Sequence, residues 1–249
     1  MTNNNVLILS AQEDYIEAAK LIKALCAEVD KSTEIIDLED IRITPEGIAN
    51  LPTGGNIYFI TNHPSVYTIA AILKLHDYKV INSDFLIKQN SKLYIQEKLR
   101  IAGISVPDHG FILGKISKEL RSQNIYLKSF EHTRFSRSFE NPETLDKFFA
   151  SLRDGSLYYQ EENIKSPETK EYKLYSIFGK LIAPENMPFE NEISKDISKI
   201  ANELELDAFS VDVIINESKQ QRWVIDVNPA SSFFGSTSSR EEFVKRLMV

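Results

Sequence analysis

The stretch from Phe209 to Asn228, FSVDVIINESKQQRWVIDVN, restricts the fold more than any other part of the chain. Two runs of alternating apolar residues flank a polar interval, Asn216–Arg222, a pattern that predicts an antiparallel hairpin. If the loop is the five residues Glu217–Gln221, then Ile214 faces Val224 and Asp212 faces Asp226. Side chains alternate along a strand, so one face of this ribbon is wholly apolar: Val211, Val213, Ile215, Trp223, Ile225 and Val227. The other face carries Asp212, Asp226 and Asn228 beside Ile214 and Val224. Opposed carboxylates with Cβ atoms roughly 4.5–5.5 Å apart repel unless a cation sits between them. Two acids and an amide oxygen are hard ligands of the kind Mg²⁺ takes, usually with phosphate oxygens and water. A solvated polar face is the competing reading. Against it stand the apolar Val224-Ile225 context of Asp226 and the Pro229 that ends pairing directly after Asn228.

Composition narrows the class. The chain has 249 residues, 42% hydrophobic and 26% charged, ordinary for a soluble globular protein with a packed core. A formal charge of −7 argues against general nucleic-acid binding. Cys26 is the single cysteine, which excludes an intramolecular disulfide and a cysteine zinc cluster; its place in the apolar phase of a helix suits a small buried hydrophobe. No apolar run is long enough to span a bilayer, and the start MTNNNVLILS lacks a charged signal region. The expectation is a cytoplasmic protein without a membrane partner.

Strands and helices alternate at the beginning of the chain. Val6–Leu9, Glu34–Leu38, Asn56–Ile60 and Lys79–Ile81 read as strands, and Gln12–Glu28 and Ser65–His76 as helices. Residues 1–83 are therefore expected to form an α/β unit with a small parallel sheet. A Lys-rich helix is expected from Asp84 to Ala102, stopping at Gly103, with Ile104–Pro107 extended after it. Further helices are expected at Gly114–Ser122, Asn141–Leu152, Glu192–Leu204 and Arg240–Val249. Strands are expected at Asn124–Ser129, Ser136–Phe139, Leu157–Glu161, Lys173–Phe178 and Lys180–Ala183. Residues 84–156 and 157–249 then read as two α+β lobes. His63, at a strand end before Pro64, suits a locally hydrogen-bonded loop imidazole, and Gly54-Gly55 a turn, since no phosphate-loop pattern surrounds it.

One ordered set of residues carries a family resemblance: Asn90-Ser91-Lys92, Gly103–Pro107, Lys128 in an apolar strand, Tyr159-Gln160-Glu161, Glu171–Tyr175, Asp212, and Asp226-Val227-Asn228-Pro229. Over about residues 80–235 the chain resembles the ATP-grasp superfamily. It is nearest in style to the branch of the ribosomal-protein glutamate ligases, glutathione synthetases and peptide macrocyclases. The resemblance implies ATP held between two lobes, with Lys128 and Lys92 toward the phosphates or adenine edge and Gln160, Glu161, Glu162 and Asn163 toward adenine and ribose. It also implies Mg²⁺, or Mn²⁺, on Asp212, Asp226 and Asn228, and several ligases of this style assemble as oligomers. Such ligases activate a substrate carboxylate as an acylphosphate, which an amine then attacks. The partners implied are an amino acid, peptide or protein carboxylate and an amine.

Two departures separate the chain from that pattern. The stretch after Lys128, Ser129–Arg137, has no glycine, so its backbone amides are less free to wrap phosphates. His132, Arg134 and Arg137 are then either side-chain phosphate ligands or a basic strand surface. Ser210 stands two positions before Asp212, where or near where many ligases carry an arginine, and Lys173 stands where the glutamate-ligase branch has one. Lysine keeps the charge and loses the bidentate fork. Alongside the ligase, a small-molecule kinase resembling the inositol-phosphate kinases and a non-catalytic nucleotide-binding module remain as readings.

Overall fold

The computed structural model describes residues 7–11, 15–29, 32–44, 47–51, 56–61, 65–88, 92–113, 125–129, 136–139, 143–144, 147–148, 157–162, 164–229, 231, 233 and 235–247. For 7–11, 87–88, 111–113, 125–129 other than Leu127, 136–139 and 157–162 the description covers the backbone alone. Two compact units emerge: Met1–Lys88 with Lys173–Val211 and Val227–Val249, and Gln89–Tyr172 with Asp212–Asp226.

The first unit opens with β1 (Leu7–Ala11), α1 (Ile16–Glu28) and β2 (Thr33–Asp37). A short antiparallel pair follows, β3 (Arg42–Thr44) and β4 (Gly47–Ala49), which the apolar periodicity does not announce. Then come β5 (Asn56–Ile60), α2 (Ser65–Leu75), β6 (Lys79–Val80) and α3 (Ser83–Lys88). The sheet order is β2-β1-β5-β6, parallel throughout, as the alternation of strands and helices predicts. Ala18, Ala19, Ile22 and Cys26 are the buried positions of α1, a helical stripe that places the cysteine in the core.

The chain returns to this unit at its end. Helix α6 (Thr237–Arg246, the last helix in chain order) packs against α1. Its Phe243 ring lies 4.7 Å from Tyr58, and Phe233 stacks on Tyr58 at 5.7 Å. Both separations fall in the range where aromatic pairs attract beyond their area burial. The buried Tyr58 hydroxyl donates to the Ser231 carbonyl at 2.7 Å, and burial pushes its pKa well above the ordinary phenolic value. One core thus joins β5 and α1 to residues near the C-terminus.

In the second unit, α4 (Lys92–Ile101) is followed by β7 (His109–Leu113), β8 (Ile125–Ser129), β9 (Ser136–Phe139) and β10 (Leu157–Glu162). They form an antiparallel sheet of order β7-β10-β8-β9, with α4 packed on β7. Of the helix expected over Asp84–Ala102, Ser83–Lys88 (α3) and Lys92–Ile101 (α4) are helical, and residues 89–91 lie outside the described set. Strand β7 also departs from the expectation, because its Gly110 and flanking polar residues give no alternation to read.

A third sheet has order β12-β11-β13-β14, built from β11 (Thr169–Ile177), β12 (Lys180–Ile182), β13 (Ala208–Asn216) and β14 (Gln221–Asn228). The chain enters β13 from α5 (Glu190–Leu204), whose buried stripe is Ile193, Ile197, Ile200 and Leu204. Helix α5 stops at Glu205, where a left-handed residue turns the backbone and Leu206 N–H closes on the Ala201 carbonyl at 2.9 Å.

Candidate functional site

The hairpin of β13 and β14 is present, with a loop of Glu217–Gln220, one residue shorter than the sequence suggests. Asn216 explains the difference. Its Oδ1 accepts from the Lys219 N–H at 3.0 Å and the Ser218 hydroxyl at 2.8 Å, closing a tight polar turn that leaves Gln221 inside the strand. Strands joined by so short a loop are antiparallel. Direct opposition of Asp212 and Asp226 rests on the longer loop and is not carried over. Their setting on neighbouring strands remains.

Strand β13 is buried on both faces except at Asp212, which is half-buried. On β14, Asp226 is half-buried between the buried Val224 and Val227, and Asn228 is half-buried between Val227 and the buried Pro229. The acids therefore interrupt apolar strands at partly accessible positions, where a carboxylate can reach a ligand without full desolvation.

Helix α4 supplies the cation. Its buried face is Ile95, Gln96 and Leu99, and Lys92 lies one turn before Gln96 on that face. The Lys92 Nζ lies 3.5 Å from Asp226 Oδ1, with side-chain exposures of 22% and 34%. The Val224 N–H donates to the Ser105 carbonyl at 2.9 Å, so the segment after α4 is tied to the same strand. Two residues expected to serve the same nucleotide from distant parts of the sequence are thus side by side.

Lys128 pairs with Tyr159 and Ser136 in backbone register; Gln160 pairs with Leu127 and Gly110, and Glu161 with Tyr126 and His109. Glu162 pairs with Ile125 and Arg137 with Leu127. One antiparallel sheet therefore holds the strand lysine and the Gln160–Glu162 segment on adjacent strands. The side chains of Lys128, Arg137, Gln160, Glu161 and Glu162, together with the whole of His63, His132, Arg134 and Asn163, lie outside the described residues. Lys173 is exposed on β11.

Three features escape sequence reasoning. Asn82, left-handed at φ 62 and almost fully buried, donates from Nδ2 to the Ala208 and Pro229 carbonyls, each at 2.6 Å. Its Oδ1 accepts from the N–H groups of Asp207 at 2.7 Å and Ala208 at 3.1 Å. One amide thus pins the entry to β13 and the exit from β14; its only sequence signal is a turn-forming Asn-Ser-Asp run. Gln96 is a second such residue: it is 3% exposed, and its Oε1 has no hydrogen-bond partner among the described residues.

The third is a surface cluster around Glu97. Arg100 donates twice to its carboxylate, at 2.8 and 2.5 Å, and His109 Nε2 stands at 3.2 Å. The Arg100 hydrogen bonds, with smaller contributions from the arginine charge and His109, hold the Glu97 carboxyl at about 2. A depressed folded pKa contributes stability above the unfolded carboxylate value, about 4.3, that is lost as pH falls toward the folded value. Glu97→Gln should therefore lower the urea midpoint slightly at pH 7, as expected of an exposed pair. Its difference from wild type should shrink between about pH 4 and pH 2. A difference that stays constant across that window would show that the Arg100 pairing does not act through charge.

The likeness to solved structures is extensive. A RimK-domain ATP-grasp protein from Sphaerobacter thermophilus DSM 20745 superposes with a TM-score of 0.77 at 14% identity, covering 98% of this chain and 100% of that one. The chain has the ATP-grasp fold. The ATP-grasp ligase PsnB, solved with a phosphomimetic minimal precursor, Mg and ADP, gives 0.73 at 13% identity over 100% of this chain and 98% of PsnB. D-cycloserine synthetase DcsG gives 0.70 at 12% identity over 97% of this chain and 99% of DcsG. No family model matches the chain. Among curated proteins, kinesin-like protein 6 of Schizosaccharomyces pombe is 31% identical over 127 residues, 48% of this chain. The chain spans only 16% of that protein's length.

The donor types on β13 and β14 suit a hard divalent cation. Among the described residues no group of three or more His, Cys, Asp or Glu gathers as a metal cluster. As residue types, Asp212, Asp226 and Asn228 offer two acids and a neutral oxygen, hard donors that Mg²⁺ takes together with phosphate oxygens and water. The Lys92 ammonium lies beside the Asp226 carboxylate. Among the described residues, no helix is long and apolar enough to cross a membrane.

Proposed function

We propose that the chain is an ATP- and Mg²⁺-dependent carboxylate–amine ligase acting on an amino acid, peptide or protein. The supporting observation is the Lys92–Asp226 approach at 3.5 Å, inside a fold shared with ATP-grasp ligases. Asp212, Asp226 and Asn228 would hold the metal, which when bound neutralises the polyphosphate. Lys92 and Lys128 would set point charges against the phosphates, and Gln160, Glu161, Glu162 and Asn163 would frame adenine and ribose. Lys173, Arg134 and Arg137 are assigned to the reacting end, where they would stabilise negative charge developing on the transferred phosphoryl group and on the carbonyl oxygen of the tetrahedral intermediate. Most of the rate enhancement would come from positioning and electrostatics. The division into residues 1–83, 84–156 and 157–249 is retained as the functional one.

Solved relatives set the substrate class to try first. PsnB has been solved in complex with the precursor peptide PsnA2 and AMPPNP, and the macrocyclase MdnC with the precursor peptide MdnA. A carboxylate-bearing peptide is accordingly the first substrate proposed here. Incubation with Mg²⁺-ATP, a panel of acidic peptides and hydroxylamine should release ADP and phosphate and yield a hydroxamate, because hydroxylamine intercepts an acylphosphate. Transfer of the γ-phosphate to a stable hydroxyl product, indifferent to hydroxylamine, would replace the ligase with a kinase. ATP binding without turnover across acids and alcohols would leave a nucleotide-binding module.

A further inference from the structure

Gln96 sits on the buried face of α4 with its side-chain oxygen unpaired among the described residues. Buried amide oxygens nearly always find a donor, and one left bare weakens the fold. The amide is 3% exposed, so water does not readily supply that donor. Residues four apart on a helix have Cβ atoms about 5–6 Å from each other, and the residue four positions earlier is Lys92. Its ammonium has three N–H donors and is turned to Asp226 at the long separation of 3.5 Å. A flexible lysine stem allows that head group to swing by a few ångströms.

We propose that Gln96 is a positioning residue for Lys92, its buried carbonyl oxygen serving as a second resting place for the ammonium when that cation leaves Asp226. This rests on the reading of Asp226 as a metal ligand and of Lys92 as a cation directed at the phosphates. An acid that serves a divalent cation does not keep an ammonium on the same oxygen, because the two positive charges repel. Lys92 then needs another acceptor that keeps it on the same helix face and does not cancel its charge. A neutral carbonyl does this, whereas a carboxylate at residue 96 would neutralise the lysine and weaken its pull on phosphate. The bare oxygen is thus the unfilled half of a two-position device, and its cost is carried while Lys92 rests on Asp226.

A double-mutant cycle on the protein without nucleotide or metal reads this directly. In the wild-type background Gln96→Leu removes an unpaired buried acceptor and should raise the thermal midpoint by roughly a few °C. In an Asp226→Asn background the ammonium has lost its charged partner and rests on Gln96, so the same Gln96→Leu change should lower the midpoint. Gln96→Met, unbranched like glutamine, repeats the cycle with a closer match of shape. Equal shifts in both backgrounds, the additive outcome expected of groups that do not share a partner, would overturn the proposal. Titration with Mg²⁺-ATP adds the functional arm. Gln96→Leu should weaken binding about tenfold alone and cause no further loss beside Lys92→Met. If the wild type binds no Mg²⁺-ATP, the ligase reading falls while the ligand-free cycle still decides the pairing of Gln96 with Lys92.

Discussion

Asp226→Asn is expected to reduce Mg²⁺-dependent ATP turnover by about 10²–10³-fold, the loss typical when one preorganised electrostatic contact to a developing charge is removed. The side chain keeps its size and one oxygen. What disappears is the negative charge that is proposed to hold the metal and that faces the Lys92 ammonium, whose Nζ lies 3.5 Å from Asp226 Oδ1. Affinity for Mg²⁺ should fall together with turnover, whereas the fold should persist, since Asp226 is half-buried and its neighbours Val224 and Val227 continue to pack. ADP release at increasing Mg²⁺, beside a thermal melt of the same preparation, separates the two quantities. A variant that retains more than a tenth of wild-type turnover at limiting Mg²⁺ would remove Asp226 from the metal site.

Asn82→Ala should cost about 3–5 kcal/mol of stability, the range for breaking a buried polar network. The substitution strips partners from the Ala208 and Pro229 carbonyls and from the Asp207 and Ala208 N–H groups, all at 2.6–3.1 Å in the native protein. It also places a Cβ-bearing residue without a local polar side chain at φ 62, a left-handed position that asparagine tolerates better than alanine. Asn82→Gly relieves the backbone while still losing the amide, so it divides the two contributions. Thermal midpoints should fall by roughly 10 °C for alanine and somewhat less for glycine. A loss below about 1 kcal/mol for Asn82→Ala would mean the four contacts are not sustained in solution. Because Asn82 pins both ends of the strand pair that carries the acids, a milder Asn82→Ser should weaken Mg²⁺ affinity along with stability.

Much of the architecture is local enough to read from the sequence. Strand β5 spans Asn56–Ile60 as its apolar run predicts, and α5 buries Ile193, Ile197, Ile200 and Leu204 at helical spacing. The pairing of Ser136–Phe139 with the strand of Lys128 follows from alternation as well. Such periods of two and 3.6 residues arise from backbone geometry within one element, so they survive without knowledge of any partner. Strand β7 and the β3–β4 pair lack that signal, because short, polar or glycine-bearing strands are held by their neighbours and not by their own pattern.

The candidate site divides in the same way. Sequence alone determined which residue types were available: two acids and an amide on apolar strands, a lysine opening a helix, and an ATP-grasp order of motifs. It did not determine the loop at Glu217–Gln220, which the Asn216 side chain shortens through bonds no periodicity encodes. Nor could it place Lys92 against Asp226, return α6 to α1, or show that Gln96 holds an acceptor with no donor among the described residues and Asn82 a full set of partners. Those facts depend on groups far apart in the chain that meet only after burial has removed water as their alternative partner, and only the tertiary structure decides which of them meet.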